Sequence, residues 1–531
     1  MRHLRAILAL SISATFAAGC SANNGSAIAN APEGSSVPSV GSNAGMAKAA
    51  RLFHFRHTPA YPPKPRHRIT SADRARALAA GWTPVSSKAA WTNGAGTEIL
   101  MTDGTVLVQD YCTPNWFSLT PDKTGSYVNG KWTKVAPMSS SYGPLYFASA
   151  VLPDGKLIVN GGEYNFCNQD ETNLGAIYDP VANTWTPVTG PSGWSEIGDA
   201  SSVVLPDGTY MLGNCCMSDQ ALLDESNMTW TQVGNGKHDT NSEEGWTLLR
   251  DGNVLTADVF GEPNSEIYNR HTQTWSSAGN LPNNLTQGFE IGPQTMMPNN
   301  KVWVAGANQY TAVFDANTKT WYSGPNFPII NGQQEDAADA PSTLLTNGRV
   351  MLAVSPGLYS PPAAIVLYNG TTIKQIPAFP NAPNDSSYNV RLLMLPTGEV
   401  LEADGSSDVE VYTRGHHVKG IIPPQIASVP TTITHGNTYK ISGRYFSGFS
   451  QTNFYGDDVQ QATNFPLVQI TNNGTGHVFY ARTHNHSFMG IASHRRVSTM
   501  FDVPSGIETG ASTLRVIANG VPSAGVSVTI N

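Results

Sequence analysis

Charge is what this sequence has least of: Asp, Glu, Lys and Arg make up 13% of its 531 residues. That excludes long, charge-laced surface helices as its main building material. Apolar runs are short as well. After the N-terminal segment no stretch approaches the roughly 18 apolar residues of a membrane-crossing helix. Cysteine is scarce, five in all, too few for a disulfide-held mini-scaffold. No Ser-His-Asp order, phosphate-binding loop or zinc-protease motif is present. The net charge of −8 makes nucleic acid a poor partner. What abounds is glycine and proline, 50 and 36 residues, the composition of many short strands joined by tight turns. A chain this long needs more than one core.

The N-terminus has a layout of its own. Arg2 and Arg5 precede an apolar run over residues 6–16, and Ala17-Ala18-Gly19-Cys20 follows. This is the order of an export signal. Its last four residues resemble the lipobox of bacterial lipoproteins, which implies cleavage before Cys20 and acylation of that cysteine. Ser21 follows where Asp would imply retention, so the resemblance implies outer-membrane sorting. Residues 1–20 are expected to be a lipoprotein-type signal peptide, with the mature protein in the cell envelope, periplasm or outside, attached to membrane by its lipid alone. Residues 21–80 are expected to be a low-complexity, basic tether. Between residues 46 and 90, nine Lys and Arg stand against the single acid Asp73. Such a tail suits anionic lipid or envelope polymer, or serves as a solvated linker.

The body of the chain repeats. A turn dipeptide recurs between two apolar runs at Asp103-Gly104, Asp154-Gly155, Asp207-Gly208, Asp251-Gly252, Asn299-Asn300, Asn347-Gly348 and Thr397-Gly398, at intervals of 44 to 53 residues. Most of these favour the left-handed backbone of a two-residue hairpin. Flanking runs such as Lys156-Leu157-Ile158-Val159 read as strands buried on both faces. Trp132, Trp185, Trp230, Trp275 and Trp321 keep the same period, three of them after Tyr178-Asp179-Pro180, Tyr268-Asn269-Arg270 and Phe314-Asp315-Ala316. Together with Gly161-Gly162 these features resemble kelch repeats. Seven repeats predict a seven-bladed kelch-type β-propeller over residues 81–418, an all-β fold in which stacking buries faces no single blade can bury. The last repeat lacks a tryptophan strand, whereas Trp82-Thr83-Pro84-Val85 upstream matches Trp185-Thr186-Pro187-Val188. The N-terminal strand is therefore expected to complete the seventh blade. Residues 419–531, with short alternating runs such as Tyr439-Lys440-Ile441-Ser442, predict an immunoglobulin-like β-sandwich.

A kelch propeller with such a C-terminal domain resembles galactose oxidase and glyoxal oxidase, the copper radical oxidases, over about residues 80–531. That resemblance implies one copper held by two tyrosines and two histidines, with a cysteine cross-linked to one tyrosine, oxidising an alcohol or aldehyde and reducing oxygen to peroxide. Tyr146, nine residues before Gly155, and Tyr388 stand at the family's tyrosine positions, and Tyr164 at its shielding aromatic. The family's histidine after the second tyrosine is here Asn389. Its cysteine is replaced near Ala95-Gly96. Its C-terminal loop, ahead of Pro466-Leu467 and Thr471-Asn472-Asn473-Gly474, reads Tyr455-Gly456-Asp457-Asp458-Val459 without histidine. Copper radical chemistry is disfavoured, because Asn389 and Asp457 supply neither imidazole nor thioether.

Other chemistry-bearing residues recur in phase. Cys112, Cys167, Cys215 and Cys216 each follow the second strand of a blade, on the face where the family keeps its copper. In an oxidising compartment two structural disulfides are expected, with a thiolate metal site as the alternative. Asp199, Glu243 and Asp339 stand nine residues before a turn glycine, and Glu290 ten before Asn300. These carboxylates would point at the mouth of the axis, suited to calcium, magnesium or sugar hydroxyls, or would form a solvated acidic rim. His484 and His486, spaced to share one side of a strand, would make half a metal site or a polar contact. The function these readings favour is a monomeric cell-envelope propeller that binds carbohydrate or another small polar ligand at a degenerate copper site. The alternatives are a copper-dependent alcohol or aldehyde oxidase with altered ligands, and a scaffold for envelope proteins.

Overall fold

The computed structural model describes residues 68–357, 360–415, 417–453 and 461–531. The export signal, Cys20, the tether up to residue 67 and Asp457 lie outside them. Seven antiparallel sheets of four strands follow one another along the chain. Their inner strands, such as Leu157–Asn160 and Val350–Val354, are buried throughout, and their outer strands, such as Thr184–Pro187, are largely exposed. Continuous apolar runs therefore sit inside and mixed ones outside. Trp82–Pro84 pairs antiparallel with Val409–Tyr412, so the last sheet joins strands from both ends of the propeller.

The tryptophan period has a physical reason. Four of the five indoles, each on an outer strand, donate to the preceding blade. Trp185 Nε1 bonds the Ala136 carbonyl, Trp230 the Thr189 carbonyl, Trp275 the Gln220 side chain and Trp321 Ser265 Oγ, at 2.8–3.0 Å. Trp82 does the same to the Pro377 carbonyl at 2.9 Å, across the seam.

The hairpin turns differ in one respect from the expectation of two-residue loops. Leu152 N donates to Lys156 O and Gly155 N to Leu152 O, at 2.8 and 2.9 Å. The loop thus holds three residues, Pro153-Asp154-Gly155, a type I turn closed by a left-handed residue. That residue has positive φ in all seven turns, Gly104, Gly155, Gly208, Gly252, Asn300, Gly348 and Gly398. The aspartate accepts from the backbone two residues on, as Asp154 Oδ1 does from Lys156 N at 3.0 Å.

The last stretch before the propeller is not an extended tether. Ser71–Ala80 is a helix with a Thr70–Asp73 capping box and a left-handed Gly81 at its end. Arg74 pairs with Asp408 at 2.8 Å and Ala77 is buried, so basic residues of this segment hold the seventh blade.

Eight of the nine C-terminal strands run as one hydrogen-bonded path, with Val521–Pro522 paired off it, and the sheet is β-sandwich-like in that it curls over a single core of Ile433, Ile441, Val468, Phe501, Leu514 and Val516. The strand Val478–His484 makes the corner. Its first half pairs with Leu467–Asn472 and its last three residues with Val497–Asp502. This domain covers the turn end of the propeller. Arg482 donates to Asp154 O at 2.6 Å, His486 N to Pro153 O at 3.0 Å and Met489 N to Pro206 O at 3.1 Å. From it a buried segment reaches the inner strands, Gln451 accepting from Leu248 N and Asn453 donating to Leu392 O.

Candidate functional site

The opposite end of the ring, where first strands begin and second strands finish, gathers the predicted site residues. Tyr146, Glu243 and Asp339, each nine residues before its turn glycine, all have left-handed backbones, with φ of 52°, 58° and 49°. Non-glycine residues adopt this conformation at a cost, and it recurs where function or packing demands it. Glu243 and Asp339 so placed belong to one carboxylate group, and Tyr146 to an aromatic cluster.

One oxygen from each of Glu243, Glu290 and Asp339 lies within 4.8 Å of the others, and all three residues are at most 2% exposed. Asp199 stands beside them. Burial, and then the nearby Glu171 carboxylate, holds the Asp199 carboxyl well above the usual carboxylate range. Asp199 also faces Glu243, and two carboxyls share a hydrogen bond only when one carries a proton. A proton or a cation must therefore offset the crowding. Carboxylate oxygens at this spacing suit a hard divalent cation. A second acid group, Asp239, Glu244 and Asp258, already has a cation: buried Lys237 Nζ lies 3.0 Å from Glu244 and 2.7 Å from Glu266.

Beside the carboxylates lies a buried aromatic cluster of Tyr111, Tyr146, Tyr164 and Tyr388. The Tyr111 and Tyr146 hydroxyls are 3.3 Å apart, and the rings of Tyr146 and Tyr164 meet edge to face at 6.0 Å. Arg391 ties the cluster together. Its guanidinium lies 5.9 Å from the Tyr146 ring centre and donates to the Tyr388 carbonyl at 2.6 Å. Burial raises the Glu98 carboxyl well above its ordinary range, partly offset by Arg391. Burial likewise raises the Tyr164 hydroxyl, helped by Glu163, Glu171 and Asp199; this joins the aromatic and acidic halves of the site.

All four cysteines among the described residues are paired, Cys112 with Cys167 and Cys215 with its neighbour Cys216. The first pair staples the short hairpin Tyr164–Asn165 and Asn168–Gln169 to the first blade. Two expectations fall elsewhere. His484 meets Asp502 at 3.1 Å, and His486 meets Thr499 at 2.9 Å on the domain side of the ring. Burial pushes the His486 imidazole down to about 3. The Asn389 Oδ1 accepts from Ser386 N at 3.3 Å, capping a 3-10 turn, so that oxygen is engaged locally. Tyr111, Arg391, Glu98 and Glu171 were not foreseen. Tyr111-Cys112 following the first blade's second strand was the one available signal; Arg391 and Glu98 sit inside strands that read as core.

These residues do not fit a copper radical centre. Asn389, not a histidine, follows Tyr388, its Oδ1 turned to Ser386 N, and Cys112 and Cys167 beside the tyrosines are bonded to each other, leaving neither for a thioether.

No family model matches the chain. Among curated proteins it is 27% identical, over 240 residues, to the Kelch-like protein terF of Aspergillus terreus, a match covering 38% of this chain and 48% of that protein. The chain is a β-propeller of seven four-stranded sheets, similar over part of its length to that Kelch-like protein. The match thus spans about half the length of that relative. Similar solved structures include a fungal alcohol oxidase of the AA5 family in complex with copper, 15% identical over 85% of this chain and 94% of that one, TM-score 0.41. Virginiamycin B lyase from Staphylococcus aureus is 10% identical over 61% of this chain and 96% of that one, TM-score 0.43.

Proposed function

We propose that this kelch propeller is a cell-envelope binding protein for a hydroxyl-rich, carbohydrate-type ligand, with a calcium-type cation held at its mouth. The convergence of Glu243, Glu290 and Asp339 carries the reading. An open cleft of about 630 Å³ lies alongside, lined by Gln287, Asn308, Tyr310, Gln333 and Asp336. Gln287 is three residues from Glu290, and Asp336 three from Asp339. Amides and a tyrosine are the groups that bond and stack on sugars, and the cation anchors the cleft's two walls. Attachment through an acylated Cys20 and export belong to the same proposal.

The test is binding to neutral oligosaccharides with calcium and after chelation, in wild type and Asp339→Asn. Calcium-dependent retention lost in the variant supports the reading. Retention unaffected by chelation reduces it to a sugar site alone, and no retention of any oligosaccharide overturns it. The oxidase alternative rests on Tyr146 and Tyr388 sharing one cluster. Stoichiometric copper in the purified protein, with peroxide release from an alcohol, would establish it instead.

A further inference from the structure

The vicinal cysteine pair has a second role open to it, one that uses none of the carboxylates of Glu243, Glu290 and Asp339. We propose that Cys215 and Cys216, once reduced, form with Glu171 a site for a thiophilic divalent cation of the zinc or cadmium class, so that the disulfide gates metal binding.

Cys215 and Cys216 follow the strand Tyr210–Gly213 of the third blade and are fully buried. Glu171 arrives from the second blade with a left-handed backbone, φ 48°. Its position is fixed by its own N–H to Glu163 O at 3.1 Å and by Thr172 N to Gly162 O at 3.0 Å. Candidate ligand atoms of the three residues lie within 4.8 Å of one another. Cys215 Sγ is 3.7 Å from Glu171 Oε2. Tetrahedral zinc, with bonds of about 2.3 Å to sulfur and about 2.1 Å to oxygen, separates two such ligands by about 3.6 Å.

Gly198 keeps the space between these atoms open. A Cβ there would stand 2.3 Å from Glu171 Oε2 and 2.4 Å from Cys215 Sγ. The place a metal needs is therefore one that any side chain would fill. In the disulfide the sulfurs are poor donors. Two thiolates and a carboxylate make the three-ligand set of a site with one open position.

The chemistry balances with a dithiol as reductant. Two thiol–disulfide exchanges break the Cys215–Cys216 bond and close the reductant into its own disulfide, moving two electrons and two protons to the protein sulfurs. Binding of M²⁺ then displaces both thiol protons to solvent and leaves two metal–sulfur bonds.

The experiment treats the protein with dithiothreitol, removes it without air, and titrates cadmium while following the ultraviolet thiolate-to-cadmium absorption. Reduced wild type should take up one equivalent with that band. The untreated protein and the Cys215→Ser/Cys216→Ser variant should show none, which separates this site from Cys112 and Cys167. Glu171→Gln should weaken uptake by about tenfold or more, and Gly198→Ala should abolish it with the thiols still titratable. The proposal is overturned if the pair resists reduction in the native protein, if free thiols take up no cadmium, or if the band persists in the double serine variant. The carboxylate site would stand in each case, since calcium binding there does not involve sulfur.

Discussion

Replacing Asp339 with asparagine should stabilise the cation-free protein and abolish its response to calcium. Three carboxylates within 4.8 Å of one another repel by about 3.5 kcal/mol per ionised pair at an effective dielectric of about 20. Three such pairs come to roughly 10 kcal/mol, as large as the whole stability of a typical domain. Full ionisation without a counter-charge is therefore not sustainable, and near neutral pH the site holds a proton or a cation. Calcium at a hundred times its Kd should add about 2.7 kcal/mol. Asp339→Asn removes two of the three pairs, and asparagine tolerates the left-handed backbone, so the change isolates charge from conformation. Melting should be followed across a calcium series, with calorimetry in two buffers counting the protons released. Wild type should gain several degrees in Tm and release protons, and the variant should start higher and gain nothing. If millimolar calcium, magnesium and manganese leave the wild-type Tm unmoved and the variant is no more stable without metal, the carboxylates are compensated in another way and the reasoning fails.

Buried carboxyls here and in the seventh blade set a pH dependence. Asp199, Glu402 and Glu410, the last pushed up to about 8, have carboxyls raised chiefly by burial. The native state then binds more protons than the unfolded chain above the ordinary carboxylate range, so metal-free stability should fall as pH rises from 5 to 8. Asp199→Asn should flatten that slope in urea titrations; an unchanged slope would exclude Asp199 as a contributor. Deleting residues through 90 removes the strand that closes the seventh blade and the buried Trp82. It should cost about 3–5 kcal/mol or more, against little for deletion of 21–67; equal melting of the two truncations would contradict the role of the seam. Trp321→Phe leaves Ser265 without its indole donor and should cost about 1 kcal/mol by chemical denaturation; no loss would show that the interblade bond is not stabilising. Peptide mapping should find Tyr146 unmodified, because the cysteines in its cluster are bonded to each other; a Tyr146–cysteine cross-link would reopen the copper reading.

Much of the propeller was legible in the chain because it is made of local events repeated. A turn that needs one left-handed residue marks itself with glycine or asparagine, as at Gly155 and Asn300. A strand buried on both faces writes itself as an apolar run, as at Leu157–Asn160. An outer-strand tryptophan that bonds the previous blade recurs with the blade period, as at Trp185, Trp230, Trp275 and Trp321. The phase of these marks also aligned Tyr146, Glu243 and Asp339, since equal distance from a turn means equal height along the ring. Distances across the axis have no such signature. That Glu290 closes on Glu243 and Asp339, that Arg391 reaches Tyr146 and Tyr388, and that Glu171 meets Cys215 over Gly198 depend on how blades are placed side by side. Blade placement is set by packing between residues far apart in sequence. The pairing of Cys215 with Cys216, rather than with a cysteine of another blade, was decided there too, because Cys112 and Cys167 are placed within bonding distance of each other, Cα to Cα 5.3 Å.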